Sequence, residues 1–305
     1  MEPPAPQAAA RTVAVVGLSG RALRYVEVVH DAAGPRLRRM GLAEFDLDAE
    51  RAFYGDGDPG ALEAISEALV EGLGQTAAET LVVAAHPTTT TTFFTPLPVG
   101  LSVEVRDAQL RQETALLADL APTQTVRALA SQVRVEASGP FSDAGTGERD
   151  WFHVVHVDEP VHVRLALLAD ALGVPGYTVA DTTRAVASVA GARGVALIVG
   201  AYGRHTEVAV VRDGAFLFGT HGPSTAPPDT AYFALAALQQ ARVPADEVDH
   251  VLAYGDDATD ARLALVADFL ARPVAPLAPF AHFRRQPDAS AAEAASFGPV
   301  VGAAL

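Results

Sequence analysis

Short apolar runs closed by turns alternate along this chain with longer segments whose apolar residues recur every three or four positions. The first kind reads as strand and the second as amphipathic helix. Val13-Ala14-Val15-Val16 leads into Gly17-Leu18-Ser19-Gly20-Arg21, then Leu23 to Val29 and the turn His30-Asp31. Val195 to Val199 leads into Gly200-Ala201-Tyr202-Gly203-Arg204, then Glu207 to Val211 and the turn Arg212-Asp213-Gly214. Each is a strand, a Gly-x-x-Gly-Arg corner, a second strand and a tight turn. The repetition predicts a molecule of two related halves with a cleft between them.

The first hairpin is followed by an extended piece through Phe45-Asp46-Leu47. Leu62, Ile65, Leu69 and Leu73, with glutamates between, predict a helix over 59–73, and Thr80 to Ala85 a buried strand ending at His86-Pro87. Thr88 to Phe94 is β-branched and aromatic, hence a strand, which Pro96 and Pro98 are expected to break. Asp107 is expected to cap a helix carrying Leu110, Leu116, Leu117 and Leu120, and strands are expected at 124–136 and 151–157 around a loop from Ser138 to Arg149. A helix at 161–172, a strand at 177–180 and a helix capped by Asp181 or Thr182 precede the second hairpin. After it come a helix at 231–241 capped by Asp229, a strand at 248–254, a helix at 261–271 and a short strand at 274–277. The resulting division is a disordered lead-in (1–10), a first lobe (11–86 and 151–190), an inserted α/β subdomain (87–150) and a second lobe (191–305).

Composition narrows the chemistry. Half of the 305 residues are hydrophobic, and no run approaches the about eighteen residues that a membrane span needs. The opening residues lack the basic and apolar regions of a signal peptide, so a cytoplasmic location is expected. There is no cysteine, which removes disulfides, thiolate metal sites and thiol nucleophiles. There is also no lysine: all 22 basic residues are arginine, which removes Schiff-base chemistry and a P-loop lysine. A net charge of −15 argues against nucleic acid as a partner. The bias toward Ala, Arg, Asp and Val is that of a GC-rich bacterial genome.

Several segments carry a resemblance in the same order along the chain. They are Gly17 to Val28; Thr95-Pro96-Leu97-Pro98 followed by Leu110 to Leu120 with Glu113; Leu168 to Ala187; Val210 to Gly214 with Leu217-Phe218; and the ending Phe297 to Leu305. Together they resemble the PilM family of type IV pilus assembly proteins, within the actin-like ATPase superfold. The resemblance spans nearly the whole chain. It implies an α/β, actin-like (ribonuclease H-like) two-lobed fold with a small α/β subdomain inserted in the first lobe. In that superfold each hairpin carries an aspartate two residues ahead of its glycine, which organises Mg²⁺ while the amides of the turn hold phosphate. Here the corresponding positions are Val15 and Leu18 in the first hairpin, Ile198 and Ala201 in the second. PilM proteins also place a further subdomain before the adenosine-binding strand, with a Lys and a Glu on the nucleotide. Here only Pro223 to Asp246 joins those elements, so the second-lobe insertion is missing.

The resemblance therefore implies a degenerate nucleotide site at Ser19, Gly20, Arg21, Gly203, Arg204, Gly255 and Asp256, with no catalytic or metal-binding residue and no cofactor expected. The two corners could still grip an anion, although glycines that permit tight turns and arginines that face solvent explain them as well. His153, His156 and His162 look like a metal set, but strand alternation puts the first two on opposite faces. Asp256, Asp257 and Asp260 resemble a diphosphate–magnesium motif and are explained as acids at a helix start. Ser19 has no histidine at a fixed spacing, which disfavours a hydrolase.

Two functions follow from the resemblance. One is a non-catalytic scaffold of a type IV pilus or type II secretion-like inner-membrane platform, with the cytoplasmic part of the secretion protein GspL as precedent. It would hold the short cytoplasmic tail of a membrane partner near Thr88 to Leu101 and the helix from Asp107, peripheral to the inner membrane. Self-association is left open. The alternative is an ATPase or small-molecule kinase using ATP and magnesium, with Asp31, Asp181, Asp213 or Asp256 as displaced metal ligands.

Overall fold

The structure is a computed structural model that describes residues 10–55, 57–121, 126–133, 149–191 and 193–305. The expected lead-in up to residue 9 and most of the loop from Ser138 lie outside the described residues. The chain opens with β1 (Arg11–Ser19) and β2 (Ala22–Asp31), joined at the first Gly-Arg corner, and continues into β3 (Gly34–Glu44). A short helix that the pattern did not predict, α1 (Ala49–Tyr54), starts on the cap Asp48; α2 (Pro59–Leu73) and β4 (Thr80–Ala85) follow. A turn of 3₁₀ helix at Pro87–Thr89 then leads out of the lobe.

The inserted part comprises β5 (Thr91–Pro98), α3 (Val103–Leu117), β6 (Ala128–Val133) and β7 (Arg149–His156), its strands ordered β5-β7-β6. Pro96 and Pro98 do not break β5. They pair in register with Trp151 and Arg149, because β5 is an edge strand and residues two apart direct their missing N–H to the same, open side. Asp107 is not the cap of α3. Ser102 Oγ accepts the Val105 N–H, the helix starts four residues earlier than Asp107, and Asp107 pairs with Arg106 inside it. β7 pairs with β5 and β6, so residues 151–156 belong to the inserted sheet rather than to the first-lobe sheet.

The chain returns through α4 (Glu159–Ala171), β8 (Tyr177–Asp181) and α5 (Thr182–Val189), capped as expected by Asp181, whose Oδ1 accepts the Arg184 N–H. The second lobe holds β9 (Val195–Ala201), β10 (His205–Arg212), β11 (Ala215–Pro223), α6 (Pro227–Gln240), β12 (Val248–Tyr254), α7 (Asp260–Leu270) and β13 (Val274–Pro276). α6 starts at Pro227, ahead of the expected position, because proline is suited to the first helical turn. Asp229 sits inside that turn and accepts from the Thr225 and Ala226 amides. α8 (Ala291–Ser296) and α9 (Gly298–Ala304) end the chain, and α9 packs back onto β1, β2 and β4 of the first lobe.

The sequence repeat becomes two five-stranded sheets of matching order, β3-β2-β1-β4-β8 and β11-β10-β9-β12-β13. In both, the hairpins are antiparallel and the inner pairs β1·β4 and β9·β12 parallel. Period-two alternation buries both faces. Ala14, Val16, Leu81 and Val83 face α2 and α4 in one core; Leu197, Val199, Val208 and Val210 face α6 and α7 in another. The opposite faces, Val13 and Val15 with Ile198 and Ala209, share a third core with α5 and α9 between the lobes. No helix among the described residues is long and apolar enough to cross a membrane.

Candidate functional site

Both Gly-Arg corners open onto one cleft of about 1570 Å³ between the lobes. It is lined by Ser19, Gly20 and Arg21 from the first corner, Gly203 and Arg204 from the second, and Asp256 after β12. Of the residues singled out in the sequence, Gly255 is the exception. It sits under the cleft with φ +99°, where a Cβ would stand 2.4 Å from the Ala201 carbonyl oxygen. The first glycines of each motif lie within strands: a Cβ on Gly17 would meet Val300 at 2.9 Å, one on Gly200 the Tyr254 ring at 2.5 Å. Of the glycines in the two corners, Gly20 takes a positive φ, +54°.

The donors of the first corner are already engaged by carboxylates of the chain itself. The Gly20 N–H donates to Glu50 Oε2 at 2.8 Å, and the Glu50 N–H donates back to the Gly20 carbonyl, which fixes α1 beneath the turn. Ser19 Oγ donates to Asp256 Oδ2 at 3.0 Å, and Arg24 makes an ion pair with the same carboxylate while its Nε donates to Ser296 Oγ. Arg21 donates to the Phe45 carbonyl and to Asp46; Arg204 pairs with Asp48 at 3.2 Å. The Asp256 and Asp48 pairs each join one lobe to the other.

A polyphosphate would find the donors of the first corner already taken. Its phosphates would have to displace Glu50 and Asp256 and would lie among the further carboxylates Glu44, Asp48 and Asp158. The positions two ahead of the glycines, Val15, Leu18, Ile198 and Ala201, are all buried, and Val15 and Ile198 lie in the core between the lobes. Of the carboxylates an enzyme would need, Asp31 and Asp213 sit in exposed distal turns where they accept the Ala33 and Gly194 amides, and Asp181 caps α5. Asp256 alone among these four lines the cleft.

Beside this cleft lies a polar cluster that the sequence did not reveal. Glu207 on β10 is fully buried. Its Oε1 accepts from His86 Nδ1 at 2.5 Å and from His205 Nε2 at 3.1 Å; its Oε2 accepts from Thr182 Oγ1 at 2.8 Å and Tyr254 Oη at 2.9 Å. His86 follows β4 and so belongs to the first lobe, whereas His205, Glu207 and Tyr254 belong to the second. Burial alone would lower the His86 pKa, but the charge and hydrogen bond of Glu207 outweigh it and raise the value to about 9. Burial likewise would raise Glu207, and His86 with His205 holds it well below the usual carboxylate range. Tyr202 stacks on His205 with ring centroids 4.6 Å apart and meets His86 edge-on. Burial, then the Glu207 charge, raises the pKa of Tyr202 and of Tyr254.

The available signal was a charged residue between apolar neighbours in each hairpin. Glu27 and Glu207 both qualify, and both are fully buried. Glu27, however, shares the outward face with Tyr25 and meets Thr76 at 2.6 Å with Arg38 and Arg39 nearby. His153, His156 and His162 do not converge, as strand alternation implied: His153 lies against Phe94 and Phe216, His156 Nδ1 meets the Arg127 carbonyl, and His162 Nδ1 meets Tyr177 Oη.

Comparison with solved structures agrees with the fold. The chain is similar to a structure of the PilM–PilN type IV pilus biogenesis complex, at 15% identity and TM-score 0.63 over 96% of this chain and 97% of that one. It is also similar to a Bacteroides thetaiotaomicron protein of unknown function with an actin-like ATPase fold, at 8% identity and TM-score 0.52 over 88% and 91%. The fold is actin-like. A further likeness, at 13% identity and TM-score 0.46 over 94% of both chains, is to the cytoplasmic domain of EpsL, an inner-membrane component of the Vibrio cholerae type II secretion system. No family model matches the chain, and no curated protein matches it. Identities this low relate the actin-like fold alone. Within that fold the corner donors, the cross-lobe ion pairs and the Glu207 cluster are features of this chain's own residues.

Proposed function

We propose that this protein is a non-catalytic actin-like scaffold of an inner-membrane assembly of the pilus or secretion type, working without nucleotide. The observation that carries this reading is the self-occupied corner. Ser19, Gly20 and Arg24 give their hydrogen bonds to Glu50 and Asp256, and the Asp256 bonds tie the lobes together. An actin-like ATPase needs those donors free for phosphate and placed charge for the metal.

The partner is the short cytoplasmic tail of a membrane protein, received on the inserted subdomain over residues 88–101 and α3. Val99, Val103, Val105, Leu116 and Leu117 are exposed there, distributed around α3 rather than gathered on one side of it. The resemblance to a PilM–PilN complex, a pairing of two pilus biogenesis proteins, supports a partner of this kind. The protein would then sit in the cytoplasm against the inner membrane through that partner.

Calorimetric titration with Mg-ATP tests the first half, with no heat of binding expected at millimolar nucleotide. Micromolar binding would overturn the scaffold reading in favour of an ATPase or kinase. Pull-down of a bitopic membrane protein from native membranes, lost when Leu116 and Leu117 are both changed to Ser, tests the second. Retention by that variant would place the docking face elsewhere.

A further inference from the structure

We propose that His86, His205 and Glu207 form a binding site for one divalent transition cation of the zinc class, beside the cleft and between the lobes. The donor atoms His86 Nδ1, His205 Nε2 and Glu207 Oε1 lie within 4.8 Å of one another, the sole such group of three among the described residues. Tetrahedral zinc with nitrogen and oxygen ligands at about 2.0–2.1 Å sets its donors roughly 3.3 Å apart. The present separations of 2.5 and 3.1 Å to Oε1 need only small side-chain adjustments to reach that. The cation takes the place of the two N–H hydrogens now aimed at Oε1; they leave those nitrogens with proton release to solvent, and both rings coordinate as neutral imidazoles through the same nitrogens.

Three further features suit a metal. His205 and Glu207 are two residues apart on β10, so strand geometry directs both to one side, and His86 arrives from the facing lobe. Thr182 and Tyr254 hydrogen-bond the second carboxylate oxygen, which orients the carboxylate and leaves Oε1 for the cation, as outer partners of metal ligands do. His205 and Tyr202 also line the cleft, so the site borders it on one side. Two imidazoles and one carboxylate suit Zn²⁺, Co²⁺ or Ni²⁺, whereas Mg²⁺ and Ca²⁺ prefer oxygen alone. A buried charge cluster is also a poor way to gain stability compared with apolar packing, so a ligand-binding role gives it a purpose. This inference uses none of the phosphate-corner residues and stands apart from the scaffold reading.

The test is titration of the full chain, stripped with EDTA, with Zn²⁺ followed by calorimetry and with Co²⁺ followed by visible absorption. One Zn²⁺ per chain is expected, with cobalt d–d bands of tetrahedral intensity. His205→Gln and His86→Gln should each weaken binding at least tenfold, while exposed His250→Gln leaves it unchanged. Near-UV circular dichroism of each variant separates a lost ligand from a lost fold, and the cobalt spectrum of the unmodified chain reads the ligand set without any variant. No binding at 100-fold excess of Zn²⁺, or unchanged affinity in folded His205→Gln, would overturn the assignment.

Discussion

Glu207→Gln in metal-free protein measures what it costs the fold to leave His86 and His205 buried between the lobes without their carboxylate. Glutamine keeps the volume, and its carbonyl end can still accept from Thr182 and Tyr254. What disappears is the anion that holds His86 protonated to about 9 and receives His205 as well. Removing one member of a buried pair costs about 3–5 kcal/mol when the other stays charged and uncompensated. His86 can shed its proton once Glu207 is gone, so the loss should fall at the low end, about 3 kcal/mol. At roughly 2 °C per kcal/mol for a chain of this size, the melting temperature should drop by about 6 °C. Thermal and urea melts at neutral pH with EDTA present measure it. Glu247→Gln is the matched control: its pair with Arg212 is half-exposed, and its change should stay within about 0.5 kcal/mol. A Glu207→Gln protein that melts with the parent, or a Glu247→Gln protein that loses as much, would refute the idea that this cluster clasps the lobes.

Three other outcomes are expected. Gly302→Ala would set a Cβ 2.0 Å from the Ala185 carbonyl oxygen, forcing α9 off α5 at about 2–3 kcal/mol, whereas Gly203→Ala meets nothing within 4 Å and should be neutral in the same denaturant melt. His153 has an unpartnered Nδ1, and burial, countered in part by Asp181 and reinforced by Arg184, holds its pKa below the ordinary 6.5. The unfolded chain therefore takes the proton first, so stability from this residue is present above pH 6.5 and lost as the pH falls below it. His153→Phe should flatten the stability–pH curve below pH 6.5, and an unchanged slope there would contradict the assignment. If Glu50 and Asp256 are what close the first corner, the Glu50→Ala, Asp256→Ala double variant, which removes both acceptors, should bind pyrophosphate by calorimetry at concentrations where the parent shows none. Identical titrations of the two proteins would sink that account.

The apolar and polar pattern by itself determined the paired hairpins, most helices and the two-lobed α/β architecture. Strand alternation and helical spacing are local, and both are written in neighbouring residues. The resemblance grouped Ser19, Gly20, Arg21, Gly203, Arg204 and Asp256, and these six line one cleft because duplicated corners in duplicated sheets face each other. Local reading failed where neighbours in space outvoted neighbours in sequence. Pro96 and Pro98 stay in a strand because β5 lies at an edge, and α9 leaves the lobe that precedes it because Gly302 lets it approach α5 closely. The same limit hid the central cluster. Glu27 and Glu207 look alike in sequence, each a charge within an apolar strand. Strand register turns Glu27 outward to Thr76 and Glu207 inward to His86, more than a hundred residues away. Which carboxylate would meet the facing lobe was a question of register and lobe packing, and only the tertiary structure decided it.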